Sequence, residues 1–270
     1  MLIVGERINA SRKSIATAIE KQDEAVIVNE AVSQFRAGAH FLDINAGIFV
    51  KKEVEYLRWI VGTIQKHEEI PLCIDSPNPK AIESALAIHK GRAMVNSISL
   101  EQQRFEQMLP LIKKFQPKVI ALCMGNKGMP KTADDRFEIA SELIEKLSNT
   151  GLAMDDIHID PLVQPISTGS YFGIEFLNAV ERIMREFQGV HTICGLSNIS
   201  YGLPVRQKIN RTFAIMAIAK GIDSLIIDPL DKEMVQNITI AQTLTGNDED
   251  CLRFLEAYRS GKFSEQRRNT

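Results

Sequence analysis

The chain has 270 residues, 44% hydrophobic and 24% charged, with 32 basic against 34 acidic side chains and a net charge of −2. That balance leaves no surplus for gripping a phosphate backbone, which excludes nucleic acid as a partner. No apolar run approaches the roughly 18 to 20 residues of a bilayer span, and Met1-Leu2-Ile3-Val4 is stopped at once by Gly5-Glu6-Arg7, so neither a membrane span nor a signal-peptide core is expected. The four cysteines, Cys73, Cys123, Cys194 and Cys251, show no CxxC spacing, which points to a reduced, cytoplasmic protein without a disulfide framework or zinc knuckle.

Short β-rich apolar runs alternate with helical patterns along the whole chain. The first run is Leu2 to Ile8, followed by a helix over 23–37. Phe41 to Asn45 leads to a helix over 51–67, Leu72 to Asp75 to one over 79–89, and Ala93 to Ile98 to one over 100–115. Val119 to Met124 precedes a helix over 134–149 and Ile157 to Val163 one over 173–187. Thr192 to Leu196 and Ser224 to Asp228 are followed by helices over 206–219 and 231–244. Ala37-Gly38 and Lys220-Gly221 place glycine where a helix must stop before a strand. Asn78 before Pro79, Ser99 with Gln102, and Thr132 with Asp135 read as helix starts. Leu109, Ile112 and Phe115, or Ile209, Phe213 and Met216, recur at the spacing of a core-facing helix. A last helix over Cys251 to Phe263 carries Leu252, Leu255 and Tyr258 on one face, and the chain beyond Phe263 is expected to fray.

Eight units in 270 residues give about 34 residues each, the size of a βα repeat. A doubly wound open sheet would want a glycine-rich phosphate turn, and neither GxGxxG nor GxxxxGK[ST] occurs. The fold class is therefore α/β, a single (β/α)8 TIM barrel. Residues 1–250 form the barrel, and 251–270 are a C-terminal helix and tail of the same domain.

In such a barrel the active site is built at the C-terminal ends of the strands. Those ends carry Glu6 and Asn9, Asp43 and Asn45, Asp75, Asn96, Met124-Gly125-Asn126, Asp160, Ser197-Asn198 and Asp228, with almost no lysine or arginine. Asp and Asn can also cap the next helix. With Asn78 and Ser99 assigned to caps, Asp75 and Asn96 are spare, and long loops after Asp160 and Asn198 free those two. Asp43 and Asn45 remain open between the two readings, while Asp228, directly before a helix, reads as a cap. Carboxylates and amides without cations suit a neutral ligand that presents several N–H donors, such as a fused aminopyrimidinone. The five histidines show no HxxxH or HxH spacing, so no metal site is expected, and His158, on the same strand face as Asp160, reads as structural.

Taken in order, Gly5-Glu6-Arg7-Ile8-Asn9, Leu42-Asp43-Ile44-Asn45, Cys73-Ile74-Asp75-Ser76, Val95-Asn96-Ser97-Ile98, Ile159-Asp160-Pro161-Leu162 and Gly195-Leu196-Ser197-Asn198-Ile199-Ser200-Tyr201-Gly202-Leu203-Pro204 resemble the pterin-binding methyltransferases that move a methyl group between tetrahydrofolate and a protein-bound corrinoid. The chain is similar over about residues 1 to 250 to the methyltetrahydrofolate to corrinoid iron–sulfur protein methyltransferases and to the folate module of cobalamin-dependent methionine synthase. Dihydropteroate synthase shares the barrel and the aspartates. It typically has a glycine-serine-threonine-arginine loop after the second strand, where Ala46-Gly47-Ile48-Phe49 stands here.

The resemblance implies that Asp75, Asn96 and Asp160 hold the pterin and that Asn198 lies near N5, where the methyl sits. It makes Glu6, Asn9, Asp43, Asn45, Ser197 and Met124 further contacts or supports, and Arg206 a contact to the folate tail or the partner. Gly125-Asn126-Lys127-Gly128-Met129-Pro130 looks like a mobile gate. Tetrahydrofolate or 5-methyltetrahydrofolate is then the substrate. The base-off cobalamin signature D-x-H-x-x-G is absent, the nearest string Asp156-Ile157-His158-Ile159-Asp160-Pro161 ending in proline, so the corrinoid (cobalamin) is expected on a separate protein that docks on the C-terminal face of the barrel. A homodimer through the outer helices is also implied. The alternatives are a dihydropteroate synthase-like condensing enzyme, which would need a cation at a strand end with only Lys127, Arg206 and Lys208 near, and a non-catalytic folate-binding subunit. The direction of transfer is not legible, because forward and reverse reactions share one transition state.

Overall fold

The structure of the protein, a computed structural model, describes residues 1–263, so the expected fraying beyond Phe263 lies outside the described residues. Eight parallel strands, β1 (Leu2–Asn9), β2 (Phe41–Asn45), β3 (Leu72–Asp75), β4 (Met94–Leu100), β5 (Lys118–Gly125), β6 (Ile157–Asp160), β7 (His191–Thr192) and β8 (Ser224–Ile227), are ordered β7-β6-β5-β4-β3-β2-β1-β8. The ring closes between its two ends: Gly195 bridges Ile226 in parallel, and the Ile226 N–H donates to the Cys194 carbonyl at 2.9 Å. The molecule is the (β/α)8 barrel that the eight-unit spacing predicts.

Around it lie α1 (Lys13–Glu20), α2 (Glu24–Arg36), α3 (Glu53–His67), α4 (Pro79–Leu86), α5 (Gln102–Phe115), α6 (Ala133–Ser148), α7 (Phe172–Glu186), α8 (Arg206–Ala219), α9 (Lys232–Leu244) and α10 (Leu252–Arg259). The first of these was not expected. Ile15, Ala18 and Ile19 do give α1 a buried face at helical spacing, but only over two turns.

Period-two alternation explains both the core and the site. Val4, Phe41, Cys73, Met94, Ile120, Ile193 and Ile226 point inward and form an apolar plug across the barrel. Two residues further along their strands stand Glu6, Asp43, Asp75 and Asn96, so the same inward face turns polar at the C-terminal mouth. The outward set, including Leu42, Ile44, Leu72, Ile74, Val95 and Ile159, packs in the larger core shared with the helices. At the other end Lys118 and Arg92 both pair with buried Asp156, and the His191 ring bonds Asp223 at 2.6 Å. His158 sits in this lower layer, stacked on His191 and bonded to Ser224, and burial pushes its pKa down to about 3. It is neutral at ordinary pH.

Several local expectations change. Strand β4 runs on to Leu100, so Ser99 caps nothing: its hydroxyl donates to Glu101, and the first N–H of α5, from Gln102, is accepted by Asn126 Oδ1 at 3.0 Å. Asn78 and Thr132 do cap as expected, the latter in a reciprocal pair with Asp135. Strand β6 stops at Asp160 because Pro161 has no N–H for the ladder and Leu162 takes a φ of +65°. Strand β7 is two residues long, and Leu196–Ser200 coil into a 3-10 turn instead of extending it. Leu109 is only half-buried, Met216 is 46% exposed, and on α10 Leu252, Leu255 and Tyr258 face solvent while Ala257 packs inward.

Candidate active site at the mouth of the barrel

The C-terminal ends of β2, β3 and β4 form one polar wall. In the parallel register Asn45 stands beside Asp75, and Asp75 beside Asn96. Asn45 Nδ2 donates to Asp75 Oδ2 at 2.8 Å, and Asn96 Nδ2 donates to Asp43 Oδ1 at 3.2 Å. Asn45 Oδ1 meanwhile accepts the Gly47 N–H at 2.9 Å, which turns the chain out of the barrel. Asp43, open between two readings in the sequence, is 4% exposed and faces inward; it caps no helix.

Burial pushes the Asp43 carboxyl well above the ordinary range, and the neighbouring Asp75 charge adds to the push. Asp75 is raised by burial, against the opposing influence of the Asn45 hydrogen bond and the Arg104 guanidinium. On the far wall Asp160, 7% exposed, accepts the Leu162 N–H at 2.8 Å, and burial brings its pKa up to about 7. None of these three aspartates is in a salt bridge within the described residues. They are desolvated acceptors whose capacity exceeds the donors the protein supplies.

The remaining predicted residues are spread around this wall. Glu6 lies one strand over, its pKa raised by burial and lowered by Arg12. It lines a cavity of about 160 Å3 with Arg12, Ser197, Asn210, Asp228 and Met234. Asn9 turns aside, its Oδ1 accepting the Ser11 N–H at 2.9 Å, a local turn rather than a free acceptor. Met124 ends the inward row of β5 and is partly exposed, next to the Gly125–Met129 turn that Gly128, at φ +87°, permits. Asn198 projects from the 3-10 turn after β7, exposed, with its amide against the backbone of Gly195. Arg206 opens α8 and donates to the Ser197 carbonyl at 2.8 Å and to Ser200 Oγ at 3.1 Å, which holds the Asn198 turn from behind.

Asp228 is not the cap it resembled. Asp231 caps α9, and Asp228 instead accepts Arg7 Nη1 at 2.8 Å and the Leu230 N–H. The sequence also hid two arginines. Arg104 and Arg136 are the third residue of α5 and the fourth of α6, and their side chains reach back to the strand ends that carry the aspartates. No motif or spacing in the sequence singles them out, and only the folded backbone shows where the guanidinium groups go.

The chain matches the sequence profile described as pterin binding enzyme over residues 5–228. It is 35% identical over 264 residues to the methylcorrinoid:tetrahydrofolate methyltransferase of Eubacterium limosum, covering 97% of both chains. It is 30% identical over 240 residues to the methionine synthase of Mycobacterium leprae, where it covers 84% of this chain but 20% of that one. Among solved structures, the dihydropteroate synthase of Xanthomonas albilineans in complex with 7,8-dihydropteroate superposes with a TM-score of 0.71 at 18% identity, over 90% of this chain and 93% of the other. The one from Coxiella burnetii in complex with pteroic acid gives 0.72 at 17% identity, over 92% and 94%. These two speak for the fold. Profile match and full-length identity together assign the chain to the pterin-binding enzyme family, the family of the methylcorrinoid:tetrahydrofolate methyltransferase.

Proposed function

We propose that the protein is a methyltransferase that moves a methyl group between N5 of tetrahydrofolate and the cobalt of a corrinoid carried by a separate protein. One observation carries the site assignment: three carboxylates, buried Asp43 and Asp160 and half-buried Asp75, face one barrel mouth, bonded to amides and a backbone N–H and, among the described residues, to no cation. An aminopyrimidinone edge offers the missing donors. In this reading Asp75, Asn96 and Asp160 bind the pterin, Asp43 and Asn45 hold Asn96 and Asp75 in place, and Glu6, Ser197 and Met124 complete the wall. Asn9, tied into its own turn, supports β1 from outside the ligand.

The partner's corrinoid supplies the reactive cobalt, and the work of this chain is orientation and the handling of one proton. Holding two reactants in line can supply several kcal/mol, on the order of 7 to 11 where alignment is ideal. The proton at N5 is held by Asn198, whose amide oxygen accepts more strongly as positive charge builds there. Asn198 is no acid at neutral pH, so its role is to stabilise charge. Arg206 keeps the Asn198 turn in place and, at the rim, is in reach of the folate tail or the partner in this reading.

The same site serves both directions; the name of the Eubacterium limosum relative, methylcorrinoid:tetrahydrofolate methyltransferase, sets the direction of the assay. Methylcobalamin or a methylated corrinoid protein, mixed with tetrahydrofolate and the enzyme, should show the loss of the methyl–cobalt absorption. No spectral change with folate binding intact would make the protein a binding subunit only. The corrinoid protein docks on the C-terminal face, supported by exposed Ile48, Val50, Met129, Tyr171, Tyr201 and Val205 in the βα loops that rim it.

We take residues 1–250 with α10 as one domain, in a cytoplasmic homodimer. Exposed Ile174 and Met216 beside an outer groove, and Leu244, Leu252 and Tyr258 near the C-terminal helix, support self-association. No helix of the described residues is long and apolar enough to cross a membrane.

A further inference from the structure

We infer that Arg104 and Arg136 are paired positioning residues, each clamping the backbone just past a ligand-binding aspartate and favouring the anion of that aspartate against the effect of burial. The inference rests on the pterin reading of Asp75 and Asp160. Its basis is geometric. From α5, Arg104 Nε and Nη2 donate to the Ser97 carbonyl at 2.9 and 2.5 Å, Nη2 to Ser76 at 2.9 Å, and Nη1 to Pro77 at 2.8 Å. Ser76 and Pro77 directly follow Asp75, and Ser97 follows Asn96. One planar fork therefore ties together the two strand ends that carry those side chains.

From α6, Arg136, 0% exposed, repeats the arrangement. Its Nε donates to the Pro161 carbonyl at 2.7 Å and its Nη2 to Leu162 at 3.4 Å, the two residues that follow Asp160, while Nη1 returns to Thr132 at 3.0 Å. Neither guanidinium is neutralised by a direct salt bridge to a carboxylate within the described residues. A cation that spends its donors on carbonyls keeps its charge for the surroundings, whether half-buried like Arg104 or fully buried like Arg136, and the acid it acts on in each case is the aspartate. A lysine could not do this, because its ammonium cannot bridge three carbonyls in one plane.

The groups facing Asp75 are Asp43 from β2, Cys73 on its own strand, Glu53 from α3 and Arg104 from α5; only the last is a cation. Those facing Asp160 are Cys123 from β5, Cys194 beyond β7 and Arg136, again with one cation. Burial pushes both carboxyls toward the neutral acid, and each arginine opposes that push. The ligand's N–H donors need the anion.

The test is the affinity for tetrahydrofolate between pH 5 and 9, in wild type, Arg104→Gln, Arg104→Lys, Arg136→Lys and Asp75→Ala. Wild-type affinity should fall on the acid side as the aspartates take up protons. In Arg104→Gln that acid limb should move up by about one pH unit or more, with affinity recovering toward wild type at pH 9. The lysine variants keep the charge and lose the fork, so their limb stays in place while affinity drops about tenfold at every pH. A uniform loss in Arg104→Gln with an unmoved limb, or no loss at all, overturns the inference. Should Arg104→Gln not fold, the lysine variants decide it: a displaced limb or unchanged affinity overturns it equally. Failure of wild type to bind, or binding that survives Asp75→Ala, would instead overturn the pterin reading itself.

Discussion

At the scale of the residue, the proposed site separates holding from reacting. Half-buried Asp75 and buried Asp160 are acceptors with fixed partners, whereas Asn198 stands exposed on a turn with its amide unclaimed by a hydrogen bond among the described residues. Asn198→Ala is expected to slow methyl transfer about 100-fold or more while tetrahydrofolate affinity changes only a few-fold, since the donor or acceptor it removes matters as charge shifts. Asp75→Ala should do the reverse, and calorimetric titration beside single-turnover kinetics separates the two. Equal loss of affinity in both variants would end this division of roles.

Asp160 adds a pH dependence. Folded, its carboxyl holds a proton up to about pH 7, while the unfolded chain releases it near the ordinary value of 3.8. The folded state thus binds more protons between these limits, so stability falls as pH rises through that window. Asp160→Asn removes the titration. The stability lost between pH 5 and 8, measured by chemical denaturation, should shrink by about 2 to 3 kcal/mol in that variant. An unchanged difference would place the pKa near that of an ordinary aspartate. These roles could be named from the strand-end motifs, but the raised pKa of Asp160 could not, because it arises from burial at the mouth of the closed barrel.

At the scale of the element, helix stops and strand alternation do most of the positioning. Gly38 ends the turn after α2 at φ +104° with nothing within 4 Å of where a side chain would stand, so only backbone strain opposes a replacement. Gly38→Ala should lower stability by about 1 kcal/mol without touching folate affinity, measurable by thermal or denaturant unfolding. These signals were legible because glycine caps and period-two alternation are local. The start of α5 was not: its first N–H is satisfied by Asn126, 24 residues away, while the nearby Ser99 remains in the strand. Strand β7 was overestimated for a similar reason, since Thr192 to Leu196 is apolar enough for a strand but the chain must coil there to bring Asn198 to the mouth.

At the scale of the whole molecule, the barrel sorts its contents along its axis. Charged pairs close the lower end, an apolar plug fills the middle and acceptors line the mouth. The βα loops around that mouth leave Val50 77% exposed and Tyr171 48% exposed. Val50→Asp combined with Tyr171→Asp should raise KM for the corrinoid protein about tenfold or more and leave the rate with free methylcobalamin unchanged, because both side chains belong to the rim and not to the pterin wall. A matching loss with free methylcobalamin would show that the rim acts on the chemistry rather than on docking.

The sequence by itself determined the βα repeat, the inward row of acids and amides, and the family, because each is written in short-range spacing or in contiguous motifs. It also carried the capping pairs at Asn78 and Thr132, which reach no further than one helical turn. Tertiary structure alone decided that Asp43 and Asp75 share one wall, that Asp228 joins Arg7 instead of a helix, and that Arg104 and Arg136 reach back to the aspartate loops. Those contacts span 25 to more than 200 residues. No local propensity encodes them; they follow from closing the sheet into a ring, which brings strand ends and helix side chains into one desolvated volume.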